Sequence, residues 1–171
     1  MRTRKLCLMG LLAAVALGIF MLEAQIPPVV PVPGVKLGLS NIVTVFAVFA
    51  LGWKAGAGIL FVRIFLGAVL SGNVGSIFYS AGGGLLAIVV TVMLKPLLTR
   101  QQIWVASCFG AVAHGIGQMA VAVWISKTPS ILIYLPALIF SGVITGLFTG
   151  LCAQFLVKRG NTLWKTIFRQ T

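Results

Sequence analysis

Arg63 is the residue whose type and place most directly imply chemistry. It lies about nine residues into an apolar run that opens near Ala55, which at ~1.5 Å per helical residue sets its guanidinium ~13 Å deep. A charge at that depth costs several kcal/mol unless it is paired or hydrated. The planar fork of arginine matches a carboxylate or a phosphate. Three readings stay open: contact with an anionic ligand, an ion pair with Glu23, or a side chain that snorkels to the surface. Glu23 is the only carboxylate among 171 residues.

Other polar residues inside apolar runs could join Arg63. His114 and Gln118 stand at i and i+4, so they share a helical face. They could donate to a ligand, and His114 could titrate as a switch; an interhelical hydrogen bond would use the same geometry. Ser40 and Asn41, with Thr44 one turn on, either line a pocket or cap their own helix. Asn73 sits in the turn Ser71 to Ser76, and Tyr79 follows it. Gly83 is the middle of three consecutive glycines that weaken a helix and permit a bend or the close approach of a flat ligand. Glu23, Ser40, Asn41, Arg63, Asn73, Tyr79, Gly83, His114 and Gln118 form the candidate substrate-binding set.

Several chemistries lack their residues. No Walker A motif is present to power transport, and no DDxxD-type cluster could hold magnesium and a diphosphate. No Ser-His-Asp or supported Cys-His arrangement occurs, so an enzyme is not expected, nor is a cofactor. His114 has no acidic or cysteine neighbour, which argues against a metal. Cys7, Cys108 and Cys152 are far apart in apolar runs and read as packing residues. The net charge of +12 comes from dispersed residues rather than a patch, which argues against a nucleic-acid partner.

The elements that must position these residues are membrane helices. The chain is 60% hydrophobic with a mean hydropathy of +1.12. Its apolar stretches approach the ~20 residues needed to cross ~30 Å of hydrocarbon, and backbone groups in hydrocarbon need internal partners. This predicts an all-α integral membrane protein of six transmembrane helices in a single domain, residues 1–171. The expected spans are about 6–25, 37–52, 55–70, 77–94, 103–126 and 131–157, with a basic tail over 158–171. The first run resembles a signal peptide, but its length and its end at Glu23-Ala24-Gln25 favour a retained helix.

Charge tests this count. Ten Lys and Arg fall on one side, Lys36 and Lys127 on the other, and Arg63 lies within a span. The positive-inside rule then places both termini in the cytoplasm of a bacterial cytoplasmic membrane. Trp164 and Phe168 share a face beside Lys165 and Arg169, as in an interfacial helix on anionic lipid; a frayed end is the alternative. The outer halves of the spans hold nearly all the polar groups. The expected site is therefore an outward pocket floored by apolar packing.

Small residues mark close helix contacts. Gly142, Gly146 and Gly150 form one stripe, and Gly10, Ala14 and Gly18 another. Such stripes pack helices inside one bundle or dock a second membrane subunit.

Five segments in order carry a family resemblance: PGVKLGLSNIV (Pro33 to Val43), VRIFLGAVLSGN (Val62 to Asn73), SAGGGLLA (Ser80 to Ala87), AVAHGIGQ (Ala111 to Gln118) and YLPALIFSGVITGLFTGL (Tyr134 to Leu151). Together they resemble the Gx transporter family, also described as heptaprenyl diphosphate synthase component I. That family is similar to the substrate-binding S components of energy-coupling factor (ECF) transporters. The resemblance implies capture of a small vitamin-like, flavin or isoprenoid molecule from outside. It also implies a transmembrane coupling subunit docked at Gly10, Ala14 and Gly18, and two ATPase subunits on other chains. The alternative is a membrane accessory subunit of prenyl diphosphate synthesis.

Overall fold

The computed structural model describes residues 2–26, 38–99 and 101–169, with Arg2 and residues 161–169 described by backbone alone. Lys36 and the proline-rich loop therefore lie outside the described residues, as do the side chains of Trp164, Lys165, Phe168 and Arg169.

Every regular element among the described residues is helical, as the apolar composition requires. In chain order they are α1 (Arg2–Glu23), α2 (Asn41–Ala50), α3 (Trp53–Leu70), α4 (Ser76–Leu94), α5 (Ile103–Ser126) and α6 (Leu135–Arg169). Short 3-10 turns over Lys95–Leu97 and Pro129–Tyr134 follow α4 and precede α6. Three reversals need a left-handed backbone: Gly52 (φ 99°), Gly72 (φ 65°) and Lys127 (φ 51°). Glycine takes that conformation without steric cost at the first two.

Five of these helices are long and apolar enough to cross a membrane. The count of six full helical spans is corrected at the second. α2 has 10 residues, about 15 Å at the standard helical rise, or half a hydrocarbon core. Its preceding residues, Gly38 to Ser40, are not helical. The apolar run from Leu37 hid this, because hydropathy does not register a glycine that must take φ +82° at Gly38. The tail is also not a separate element, since α6 runs unbroken to Arg169.

Packing orders the bundle. α1 and α3 run parallel, with Met9 against Gly58 and Phe20 against Gly67. α5 is the central helix, flanked antiparallel by α4 and α6. The α6 stripe is consumed here: a Cβ on Gly146 would stand 2.7 Å from Cys108 Cα, and one on Gly150 2.5 Å from Trp104 Cα. Gly142 likewise lies against Ala111. That stripe packs the bundle and is not free to dock another subunit. The α1 stripe is different. Gly10, Ala14 and Gly18 are exposed, and nothing lies within 4 Å of a Cβ built on either glycine.

The half-length α2 lies among its neighbours rather than at the rim. Ala47 and Val43 pack on α1 and on Ile59 of α3, while Val45 and Phe46 pack on Ile103 of α5 and on Ala153 and Val157 of α6. Val48 meets Leu60 and Ile88. Its last turn is closed by Lys95, whose Nζ donates to Val48 O at 2.6 Å and stands 5.8 Å from the Phe49 ring centroid. A cation at a helix C-terminus complements the helix dipole. We call the end of the bundle that carries Lys54, Lys95 and Lys158 the basic end.

Candidate functional site

The site is built around the start of α2. Because α2 is half length and ends at the basic end, its first turn lies near the middle of the bundle. Ordinary helix starts leave backbone N–H groups without partners, and in hydrocarbon no water repairs this. Here Asn41 N and Ile42 N turn back onto Gly38 O and Leu39 O, at 2.9 and 3.1 Å, and Glu23, the last residue of α1, takes N–H groups just before them. Its carboxylate accepts from Gly38 N at 2.5 Å and from Ser40 N at 3.4 Å. The single acid of the chain thus anchors the entry to α2, and it is only 4% exposed.

Arg63 comes to the same place from α3. It is 2% exposed, donates from its terminal nitrogen Nη1 to Ser40 Oγ, and is electrostatically coupled to Glu23. Its Nε is buried without a hydrogen-bond partner. From α5, His114 and Gln118 face α4 and the α2 entry, at 3% and 1% exposure. Asn41, the first residue of α2, is buried, and its Nδ2 has no partner. Phe20, Glu23, Gly38, Ser40, Arg63, Ser80, His114 and Gln118 line one cavity of about 10 Å³, near the room needed for a single water.

Two glycines shape this cluster. A Cβ on Gly38 would fall 3.2 Å from both Asn41 Nδ2 and His114 Cδ2. A Cβ on Gly83 would fall 2.8 Å from Gln118 Cγ and 2.9 Å from His114 Nδ1. The space at Gly83 is therefore filled by the two α5 side chains. Its role in this structure is close helix packing, not room for a flat ligand.

The structure thus brings together Glu23, Ser40, Asn41, Arg63, Gly83, His114 and Gln118. It does not bring in Asn73 or Tyr79. Asn73 is exposed and caps α4: its Oδ1 accepts from Ser76 N at 3.2 Å, and its carbonyl accepts from Ser76 Oγ at 2.7 Å. Tyr79 packs on the apolar cluster of Met119, Ala122 and Leu138. Both lie close to site residues in sequence but turn to other faces of the bundle. Ser80, Phe20 and Gly38 line the cavity and were not in the expected set. Ser80 stands one turn before Gly83 and Gly84, the spacing that could have revealed it.

The expectation of an apolar floor is also corrected. Beyond Asn41, a second cavity of about 10 Å³ is lined by Asn41, Thr44, Thr91, Ser107 and Thr149, together with Val45, Ala87, Ile88, Gly110 and Ala111. Hydroxyl residues are common in membrane helices as local back-bonders, so their sequence positions alone did not mark a cluster.

Four of the five segments that suggested a family contribute Gly38, Ser40, Asn41, Arg63, Ser80, Gly83, His114 and Gln118 to the site. A model of the family described as heptaprenyl diphosphate synthase component I matches residues 12–156. The chain belongs to that family. The match includes every lining residue of both cavities. No curated protein and no solved structure matches the chain.

Proposed function

We propose that this protein is the substrate-binding membrane subunit of an ECF-type transporter, capturing a small molecule through an anionic group. The observation that carries this is the buried Arg63, whose Nε lacks a partner beside the first turn of α2. Glu23 is engaged by Gly38 and Ser40 backbone N–H groups, so part of its charge serves α2. The guanidinium and the positive end of the α2 dipole then favour an incoming carboxylate or phosphate. Discontinuous helices that end at mid-depth are a recurrent way to present such ends to an anionic substrate. Asn41, His114 and Gln118 supply hydrogen bonds. The cavity holds about one water, so a ligand enters only if it widens. The reaction class is binding and release, without catalysis by this chain.

The positive-inside rule places the basic end and both termini in the cytoplasm, with the α1–α2 connection outside. The exposed Gly10, Ala14 and Gly18 stripe fits a coupling subunit, and ATPase subunits on other chains supply energy.

A second reading is favoured by the family's description. It makes the chain a membrane accessory to prenyl diphosphate synthesis. A diphosphate is also an anion that Arg63 could hold.

A thermal-shift screen of the detergent-purified chain separates them. The probes are riboflavin, flavin mononucleotide, isopentenyl diphosphate and farnesyl diphosphate. Stabilisation by an anionic probe in the wild type, lost in Arg63→Met, supports capture at this site. Stabilisation by prenyl diphosphates alone, together with prenyl transfer on adding a soluble synthase subunit, supports the second reading. Equal stabilisation in wild type and Arg63→Met overturns both as readings of this site.

A further inference from the structure

We infer that the second cavity, between α2, α4, α5 and α6, is the site of one structural water held by Thr44, Thr91 and Ser107. Its hydroxyl protons can be followed one by one. Thr91 donates to Ala87 O at 2.8 Å, as a helical threonine commonly does. Thr149 reaches Gly146 O at 3.3 Å. Ser107 and Thr149 share a bond of 2.9 Å, in which either could donate. With the Thr149 proton on Gly146 O, Ser107 donates to Thr149. Thr91 and Ser107 then present only lone pairs to the cavity.

Thr44 is the odd member among these hydroxyls. Its Oγ1 is buried and has no partner, although Thr44 lines the same space, as does Asn41 with its unpaired Nδ2. A buried hydroxyl left unpaired is costly. One water resolves this: it accepts from Thr44 and donates to Thr91 and Ser107. Three bonds are the usual complement of a buried water, and a cavity of about 10 Å³ has the matching size. α4 and α5 approach closely there because Gly110 carries no side chain; a Cβ on it would stand 2.8 Å from Thr91 Oγ1. Asn41 belongs to this cavity and lies against Gly38 of the first site. The water therefore sits directly behind the floor of the candidate ligand site.

The test needs no ligand, so it stands apart from the proposed function. The full-length wild type is compared with Thr44→Val and Thr44→Ser by thermal melting in detergent. Valine keeps the shape and removes the donor, and serine keeps the donor. With the water present, Thr44→Val lowers the melting temperature by about 2–4 °C, and Thr44→Ser lies nearer the wild type than the valine variant does. If the cavity is dry, Thr44→Val removes an unpaired hydroxyl, and the melting temperature stays or rises; that result overturns the inference. Melts in sodium chloride against choline chloride provide the second check. Equal values support water. A sodium-dependent rise that Thr44→Val abolishes assigns the hydroxyls to a cation and also overturns it. A solved structure at high resolution with density bridging Thr44 to Thr91 and Ser107 supports the water directly.

Discussion

At the scale of single residues, the one acid and the one deeply buried arginine divide two tasks. Glu23 secures the α2 entry through Gly38 and Ser40 N–H, and Arg63 donates to Ser40 while keeping Nε unpaired. Hydrogen bonds to a charged group contribute roughly 1.5–3 kcal/mol each. Glu23→Ala is therefore expected to destabilise the fold by about 3 kcal/mol or more, because it also leaves Arg63 without its countercharge. Glu23→Gln is expected to cost less, since an amide oxygen can still accept. Denaturation of the detergent-solubilised variants measures both; equal losses for Ala and Gln would show that the acceptor geometry matters little. The importance of Glu23 and Arg63 was legible in the sequence from rarity and depth alone. Their division of labour was not, because it depends on backbone N–H groups at Gly38 and Ser40 that composition does not reveal.

At the scale of elements, α2 is the unusual piece. It is half a span, held at its entry by Glu23 and at its exit by Lys95. Lys95→Met is expected to release the α2 exit and lower stability by about 1–2 kcal/mol, with Lys95→Arg nearer to the wild type; chemical denaturation reads the difference. The α4–α5 contact gives a sharper outcome. Gly83→Val would drive a branched side chain into His114 and Gln118, and overpacking of this kind costs about 1–3 kcal/mol. It is expected to reduce both stability and ligand binding, whereas Gly10→Leu on the open face of α1 should leave both unchanged and reduce co-purification with a coupling subunit. Long helices such as α5 were legible almost to the residue, since Ile103 to Ser126 form one mainly apolar run without proline or charge. The second span was not: Leu37 to Gly52 is a largely apolar run, while the helix forms only from Asn41 to Ala50. Whether an apolar run is helical over its whole length depends on where a glycine such as Gly38 turns the chain.

At the scale of the molecule, five long apolar helices and one half-helix enclose two small polar cavities with Asn41 between them. The sequence placed polarity correctly in the first of these and predicted hydrocarbon beneath it. Thr91, Ser107 and Thr149 lie on three different helices, so only the packed bundle shows that they meet. The proposed orientation is tested by a membrane-impermeant thiol reagent on a background freed of Cys7, Cys108 and Cys152. Gly72→Cys is expected to react from the side opposite to Lys158→Cys, and labelling of both from one side would contradict the arrangement. The central claim is that an anionic small molecule is held at Arg63. Native mass spectrometry of the gently purified full chain tests it most directly, with wild type and Arg63→Met compared at equal folded fraction. The expected result is a bound anionic small molecule on the wild type and its loss from Arg63→Met. A molecule retained at equal occupancy by Arg63→Met would contradict the claim.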